Sequence, residues 1–197
     1  MRSHADIAKH SEAASGPGLR IVIAGGGTGG HLFPGIAIAE AFEARSADSR
    51  LLFITTGRPI EERVLANSTY ATCRIMAAGF KGVGPVGKLK ALFKVPAGLI
   101  AALLLLIRFR PHAVIGMGAY SAAPVVVAAW MLRIFRAIHE QNCIAGMTNR
   151  FLGRFANRIY VSFPDTAIGG SPEKILFLHP KINLCNNIKK TAKNYRK

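Results

Sequence analysis

LRIVIAGGGTGGHLFPG, Leu19 to Gly35, runs from a short apolar, β-branched stretch (Leu19 to Ala24) directly into a turn of glycines closed by His31. Beyond it, apolar positions from Ile36 to Phe42 recur at helical spacing, and Pro34 falls where a first helical turn tolerates proline. Strand, glycine turn, helix is the opening unit of a parallel α/β sheet, and the chain goes on to repeat the unit.

Leu51 to Thr55 reads as a second strand, Pro59 to Ala66 as a helix and Ala71 to Met76 as a third strand. A glycine-rich loop, Ala78 to Gly87, leads into a long helix through Ile107, stopped by Pro111. His112 to Gly116 is the fourth strand, Met117 to Pro124 a loop and Val125 to Leu132 a helix. Ile134 to His139, Ala145 to Phe155 and Arg158 to Phe163 complete the series as strand, helix and strand. Strands alternating with helices predict an α/β fold, a doubly wound parallel sheet covered on both faces. Ligands of such sheets bind at the carboxyl ends of the strands, where both glycine turns and the run His139-Glu140-Gln141-Asn142 fall.

The 197 residues suffice for one ordinary domain with a full core. The net charge of +16 attracts polyanions, so phosphorylated substrates and anionic lipid are both compatible with it. Neither an RNA-binding aromatic signature nor a zinc-finger spacing occurs, so nucleic acid is not an expected partner. Cys73, Cys143 and Cys185 are odd in number and far apart, which suits a reducing compartment better than a disulfide framework. Residues 1–19 are expected to be a flexible leader, and residues 166–197 a basic tail. The apolar run Val95 to Ile107 has 13 residues, short of the roughly 20 a spanning helix needs, so a buried or interfacial helix is expected.

Gly25, Gly27 and Gly30 also fit G-x-G-x-x-G. A nicotinamide-adenine site wants an acidic residue after the second strand, whereas Thr55-Thr56-Gly57-Arg58 stands there. Arg58 leaves room for a 2′-phosphate, so an NADP-type oxidoreductase stays an alternative. His31 is either a polar residue packing a helix start or an imidazole kept neutral by the helix dipole and able to accept a proton. Gly116-Met-Gly-Ala-Tyr-Ser121 is a second small-residue turn, explicable as a tight turn alone. His139 to Asn142 places four consecutive polar side chains after an apolar strand. It lacks the second His of H-E-x-x-H, so no metal site is expected.

Taken together, IAGGGTGGHLFPGIAIAEAF, GFKG (Gly79 to Gly82), PHAVIGMGAYSAAP and HEQNCIAGMTNR resemble the MurG family, in order and over about Arg20 to Phe163. The resemblance implies a Rossmann-like acceptor domain, residues 20–165, the N-terminal half of a two-domain GT-B glycosyltransferase. It implies transfer of N-acetylglucosamine from its uridine-diphosphate form to the undecaprenyl-diphosphate-linked muramoyl-pentapeptide, with inversion and without a cofactor. On that reading His31 is the candidate base. Thr28, Gly29, Gly30 and Asn142 touch the donor across the cleft, and Glu140 supports them. The two glycine turns, with Gly118, Tyr120 and Ser121, cradle the acceptor's diphosphate. Leu89, Leu92 and Phe93, interleaved with Lys88, Lys90 and Lys94, correspond to an apolar patch docking on anionic lipid at the cytoplasmic face of the inner membrane. A helix with a solvated basic face is the plainer alternative.

Two departures stand out: GAYSAAP is poorer in glycine than expected, and Arg136 sits in a strand expected to be apolar, as an edge feature or a lost constraint. After about Phe177 the family's inter-domain Gly-Asn-Pro turn is replaced by His179-Pro180, and the donor domain is not found. A truncated or frameshifted transferase and an acceptor-binding, membrane-recruiting subunit with a separate donor-domain chain are the two expectations that follow.

Overall fold

The computed structural model describes residues 18–75, 85–177 and 188, with backbone alone for residues 85–94. In chain order the first half holds β1 (Arg20–Ala24), α1 (Gly29–Glu43), β2 (Arg50–Thr55), α2 (Pro59–Ala66) and β3 (Ala71–Arg74). Helix α3 (Pro85–Phe109) then crosses to β4 (Ala113–Gly116), α4 (Ala119–Met131) and β5 (Phe135–Glu140). The short α5 (Met147–Leu152), β6 (Arg158–Val161), a single 3-10 turn (Pro172–Lys174) and β7 (Ile175–Phe177) follow.

All seven strands pair in parallel, in the order β3-β2-β1-β4-β5-β6-β7. Alternate residues of each central strand serve opposite faces. Ile21, Ile23, Phe53 and Ile115 pack with Leu32, Ile38 and Phe42 of α1 and Leu65 of α2. Val22, Ala24, Ile54 and Val114 pack on the other face with Ala102 and Leu106 of α3, Val125 and Val126 of α4 and Leu152 of α5. Covered on both sides, the central strands have no solvent face, which is why Ile21 to Ala24 and Leu51 to Ile54 are continuous apolar runs instead of alternating ones.

The chain winds outward from β1 to β2 and β3, then returns through α3 to β4 on the other side of β1. Ala24 pairs with Gly116, and Met117 N–H donates to Ala24 O at 2.7 Å, so the turns after β1 and β4 part company at the topological switch point. This is the crevice where doubly wound folds take their ligands.

Helix starts differ most from expectation. Helix α1 begins at Gly29, so Pro34 lies inside it and not in its first turn. Helix α4 begins at Ala119, six residues ahead of Val125, and takes in Tyr120 and Ser121. In the other direction, α5 spans only Met147–Leu152 of the stretch expected to be helical. The sheet also continues beyond residue 165, because β7 pairs with β6 through Ile159↔Ile175 and Val161↔Phe177.

Arg136 is not an edge residue, since β5 lies between β4 and β6. It is 7% exposed, and its guanidinium donates from Nε to Phe155 O and from Nη1 to Ile134 O at 3.1 Å. Its own backbone N–H donates to Asn157 Oδ1 at 3.1 Å. The charge at the start of the strand is therefore held by carbonyls of the turns on that end of the sheet.

Candidate functional site at the switch point

Thr28 is the N-cap residue of α1, yet its hydroxyl makes no capping bond, and Thr28 and Gly30 are exposed. Gly29 and Gly30 occupy the first two helical positions, whose N–H groups have no partner inside an α-helix. His31, in that same first turn, carries the imidazole to the switch point, half-buried. Its ring lies on Gly118, where φ is +91°; a Cβ there would stand 3.1 Å from His31 Cε1 and 3.3 Å from Asn149 Nδ2. Glycine at 118 thus provides both the left-handed backbone and the space for the imidazole.

The two glycine turns are braced against each other. A Cβ on Gly25 (φ +139°) would meet Met117 Cβ at 2.7 Å and Gly118 O at 2.9 Å, so the second turn leaves no room for a side chain on the first. Ser121 is fully buried in the first turn of α4, and its Oγ accepts from Gly26 N–H at 3.4 Å. That placement ties Ser121 to the adjoining loop. Tyr120 beside it is 39% exposed and lines an open cleft of about 240 Å³ with His31, Gly118, Ala119, Glu140, Gly146, Met147, Thr148 and Asn149.

Glu140, at the end of β5, is 1% exposed. Its Oε1 accepts from Asn142 N–H at 3.0 Å and Asn142 Nδ2 at 2.9 Å. Its Oε2 accepts from Gly146 N–H at 3.0 Å and Asn149 Nδ2 at 2.9 Å. Burial pushes the carboxyl's pKa up, but the bonds from Asn149, Asn142 and Gly146 together hold it below its usual value. Glu140 is therefore a fixed anion that shapes the loop, with its acceptor sites taken. Asn142 has its amide nitrogen held by that carboxylate and stands exposed beyond it.

Behind this loop His139 is 4% exposed, and burial lowers its pKa to about 4, with His31 adding to the fall and Glu140 opposing it. Its Nε2 lies 3.2 Å from Ser162 Oγ, and its Nδ1 3.1 Å from Gln141 Nε2. Gln141 Oε1 in turn lies 3.0 Å from His31 Nδ1, which connects the end of β5 to the first turn of α1.

His31, Gly118, Tyr120 and Glu140 line one cleft, with Thr28, Gly29 and Gly30 on the same helix start. Leu89, Leu92, Phe93, Lys88, Lys90 and Lys94 fall in α3 where side chains lie outside the described residues, and Gly79 to Gly82 also lie outside them. Sequence reasoning gave no role of its own to Gln141, Asn149 or Glu61. Asn149 is 1% exposed and reaches both His139 O, at 3.0 Å, and Glu140, while its Oδ1 finds no partner among the described residues. Glu61 is fully buried, and its Oε2 accepts from Thr56 N–H, Thr56 Oγ1 and Arg58 N–H at 2.8–3.0 Å, fixing the turn after β2. A glutamate at the third position of a helix opened by Pro59 was the available signal for Glu61; Asn149 offered none.

Strand order, glycine turns and the polar cluster at the switch point define a Rossmann-like α/β domain with a ligand crevice at its strand ends. The chain belongs to glycosyltransferase family 28: the family's N-terminal domain matches residues 21–161. It is 42% identical over 172 residues to a relative from Syntrophus aciditrophicus, covering 83% of this chain and 48% of the relative. Over 147 residues it is 46% identical to one from Citrifermentans bemidjiense, covering 75% and 41%. Both are named UDP-N-acetylglucosamine–N-acetylmuramyl-(pentapeptide) pyrophosphoryl-undecaprenol N-acetylglucosamine transferase. The crystal structure of Acinetobacter baumannii MurG superposes with a TM-score of 0.68 at 32% identity, over 82% of this chain and 45% of that one. The chain thus spans about half the length of the relatives it matches.

Proposed function

We propose that residues 20–165 form the acceptor-side domain of a transferase that moves N-acetylglucosamine from its uridine-diphosphate form to the undecaprenyl-diphosphate-linked muramoyl-pentapeptide. The observation that carries this reading is His31, placed at a helix start beside the cleft and anchored by Gln141 at 3.0 Å. His31 takes the proton of the acceptor's 4-hydroxyl, and the oxygen's electron pair attacks the anomeric carbon from the face opposite the leaving group. Uridine diphosphate departs with the electrons of the broken glycosyl–oxygen bond, so the sugar inverts. Such general-base help is typically worth about 10²–10⁴-fold.

The N–H groups at the start of α1 and the small-residue turn at Gly118 suit an anionic diphosphate. Thr28, Gly29, Gly30 and Asn142 face the donor half across the cleft, and Tyr120 borders the acceptor. Ser121 and Glu140 act from behind, by holding the two loops in place. Turnover on this reading needs a donor-binding half, in the same chain or in a partner.

Contact with the cytoplasmic face of the inner membrane belongs to the same reading. No helix among the described residues is long and apolar enough to cross a membrane. Ile100, Leu104 and Ile107 of α3 are nevertheless 55–64% exposed, one helical face continuing from the basic Lys88 to Lys94 segment. An apolar stripe of this kind beside lysines and arginines suits peripheral docking on anionic lipid.

The test is transfer of labelled N-acetylglucosamine to a short-chain lipid-linked muramoyl acceptor, by the chain with and without a separately supplied donor domain. Activity in the combined sample, lost with His31→Ala, is the expected result. Undiminished transfer by the His31→Ala sample would remove the base from the mechanism. Acceptor and vesicle binding without transfer in any combination would favour a recruiting subunit instead.

A further inference from the structure

The atoms around Gln141 decide which end of its amide is which. Nε2 lies 3.2 Å from Met117 O, 3.1 Å from His139 O and 3.1 Å from His139 Nδ1. Backbone carbonyls only accept, so the end turned toward two of them is the NH₂ group. The other end, Oε1, also only accepts, and it stands 3.0 Å from His31 Nδ1. That ring nitrogen must carry the proton.

We propose that Gln141 is a positioning residue that holds His31 as its Nδ1–H tautomer, leaving the lone pair on Nε2 as the proton acceptor of the site. The proposal rests on the reading of His31 as base for its catalytic meaning, but the tautomer itself follows from the contacts. A free imidazole favours the Nε2–H form, in which the lone pair would sit on Nδ1, facing Gln141 and useless to a substrate. Rotating the ring by half a turn is no escape, because it sets a C–H against Gln141 Oε1.

The same amide fixes His139 in the opposite sense. The Gln141 NH₂ shares its two hydrogens among three acceptors and has no lone pair to accept from His139 Nδ1, so the His139 proton is on Nε2 and donates to Ser162 Oγ at 3.2 Å. The contacts from His31 to Gln141 to His139 to Ser162 thus all run in one donor-to-acceptor sense. When His31 Nε2 takes a proton, the Nδ1–H bond to Gln141 persists, so the cation forms without any rearrangement behind it. The arrangement does for His31 what a buried carboxylate does for a triad histidine, with a neutral amide in its place.

The experiment is long-range ¹H–¹⁵N NMR of the histidine rings in the 197-residue chain at pH 8, with His31 identified by the signal lost in His31→Gln. The expected wild-type spectrum has His31 protonated on Nδ1 and His139 on Nε2. In Gln141→Leu, with the backbone amide spectrum otherwise retained, His31 is expected to shift to predominantly Nε2–H. A wild-type His31 protonated on Nε2 would overturn the proposal, whatever the variant does. So would an unchanged Nδ1–H tautomer in Gln141→Leu. Transfer that survives His31→Gln, by contrast, would refute the base assignment and leave the tautomer result standing.

Discussion

The side-chain amide of Asn149 donates to Glu140 Oε2 at 2.9 Å and to the carbonyl of His139 at 3.0 Å. One buried asparagine thereby fastens α5 to the end of β5 and holds the His139 to Asn142 loop in shape. Asn149→Asp keeps the size but removes the donor and sets a second carboxylate against Glu140. The expected loss at pH 7 is about 3 kcal/mol or more, from a broken charge-assisted bond plus like-charge repulsion. Repulsion raises the pKa of the introduced carboxyl above its unfolded value. The deficit should therefore shrink as pH falls toward 5, where a proton restores a bridging bond. Urea unfolding at pH 5 and pH 7.5 checks this; equal deficits at both would mean the carboxylates do not meet.

His139 makes stability depend on pH in a defined window. Its folded pKa of about 4 lies below the ordinary 6.5, chiefly through burial, so between these values the unfolded chain binds more protons. Stability from this residue is then lost as pH falls from 6.5 toward 4, by roughly 3 kcal/mol in all. Glu140 continues the trend: its folded pKa is held down, so its contribution is present above 4.5 and lost as pH falls through the lower folded value. His139→Gln should flatten the upper part of the profile and leave the lower part in place. An unaltered slope between pH 6.5 and 4.5 would assign the window to other groups.

The exposed face of α3 offers a membrane test. Leu104 and Ile107 are 64% and 55% exposed, so replacing both with glutamate removes apolar area and adds charge repelled by anionic lipid without disturbing the core. Sedimentation with vesicles containing phosphatidylglycerol should fall several-fold, while the melting temperature changes little. Unchanged sedimentation would place the docking surface elsewhere.

Much of the fold was legible because strands buried on both faces leave no other pattern. Ile21 to Ala24, Leu51 to Ile54 and Ala113 to Ile115 are apolar throughout, and a glycine follows each within three residues. The helix starts were less legible, for a reason specific to the site. Gly29-Gly30-His31 is poor in helix formers, and Tyr120 and Ser121 are only middling ones after Gly118, so propensity sets no helix start at either place. What braces the two turns is a bond from Gly26 to Ser121, a contact across 95 positions that no local pattern announces. His31 and Glu140 could be singled out by residue type and place. Gln141 could not, since its role depends on His31, 110 positions away, and on a carbonyl of Met117. Strand β7 has three residues, too few for a pattern to separate it from the basic tail.

Ala119, in the segment GAYSAAP that is poorer in glycine than expected, occupies the left-handed region at φ +58°. A Cβ in that conformation costs roughly 1–2 kcal/mol, offset in part by the lower entropy of the unfolded alanine chain. Ala119→Gly should therefore stabilise the domain by about 1 kcal/mol, raising the melting temperature by about 2–4 °C. Calorimetry decides it, and a lower melting temperature would show that the alanine methyl packs well enough to repay its backbone.

Arg136 gives the sharpest contrast between residue type and place. A guanidinium in an interior strand is tolerated because Nε and Nη1 reach two different carbonyls, those of Phe155 and Ile134. Lysine concentrates its donors on one nitrogen and cannot span both, so Arg136→Lys leaves a buried charge short of partners. The expected loss is about 2–3 kcal/mol. The change should also be local and visible, because Phe155 stacks edge-on against Trp130 with ring centroids 5.2 Å apart. Trp130 is the only tryptophan in the chain, so its emission reports on the surroundings of that ring. Arg136→Lys should shift it in the folded state, before any denaturant is added. Arg136→Met removes the charge and should lose less stability than the lysine variant, although it frees the same two carbonyls. If lysine proves the milder of the two, the carbonyls matter only as acceptors and the buried charge costs nothing that the fork geometry was needed to offset.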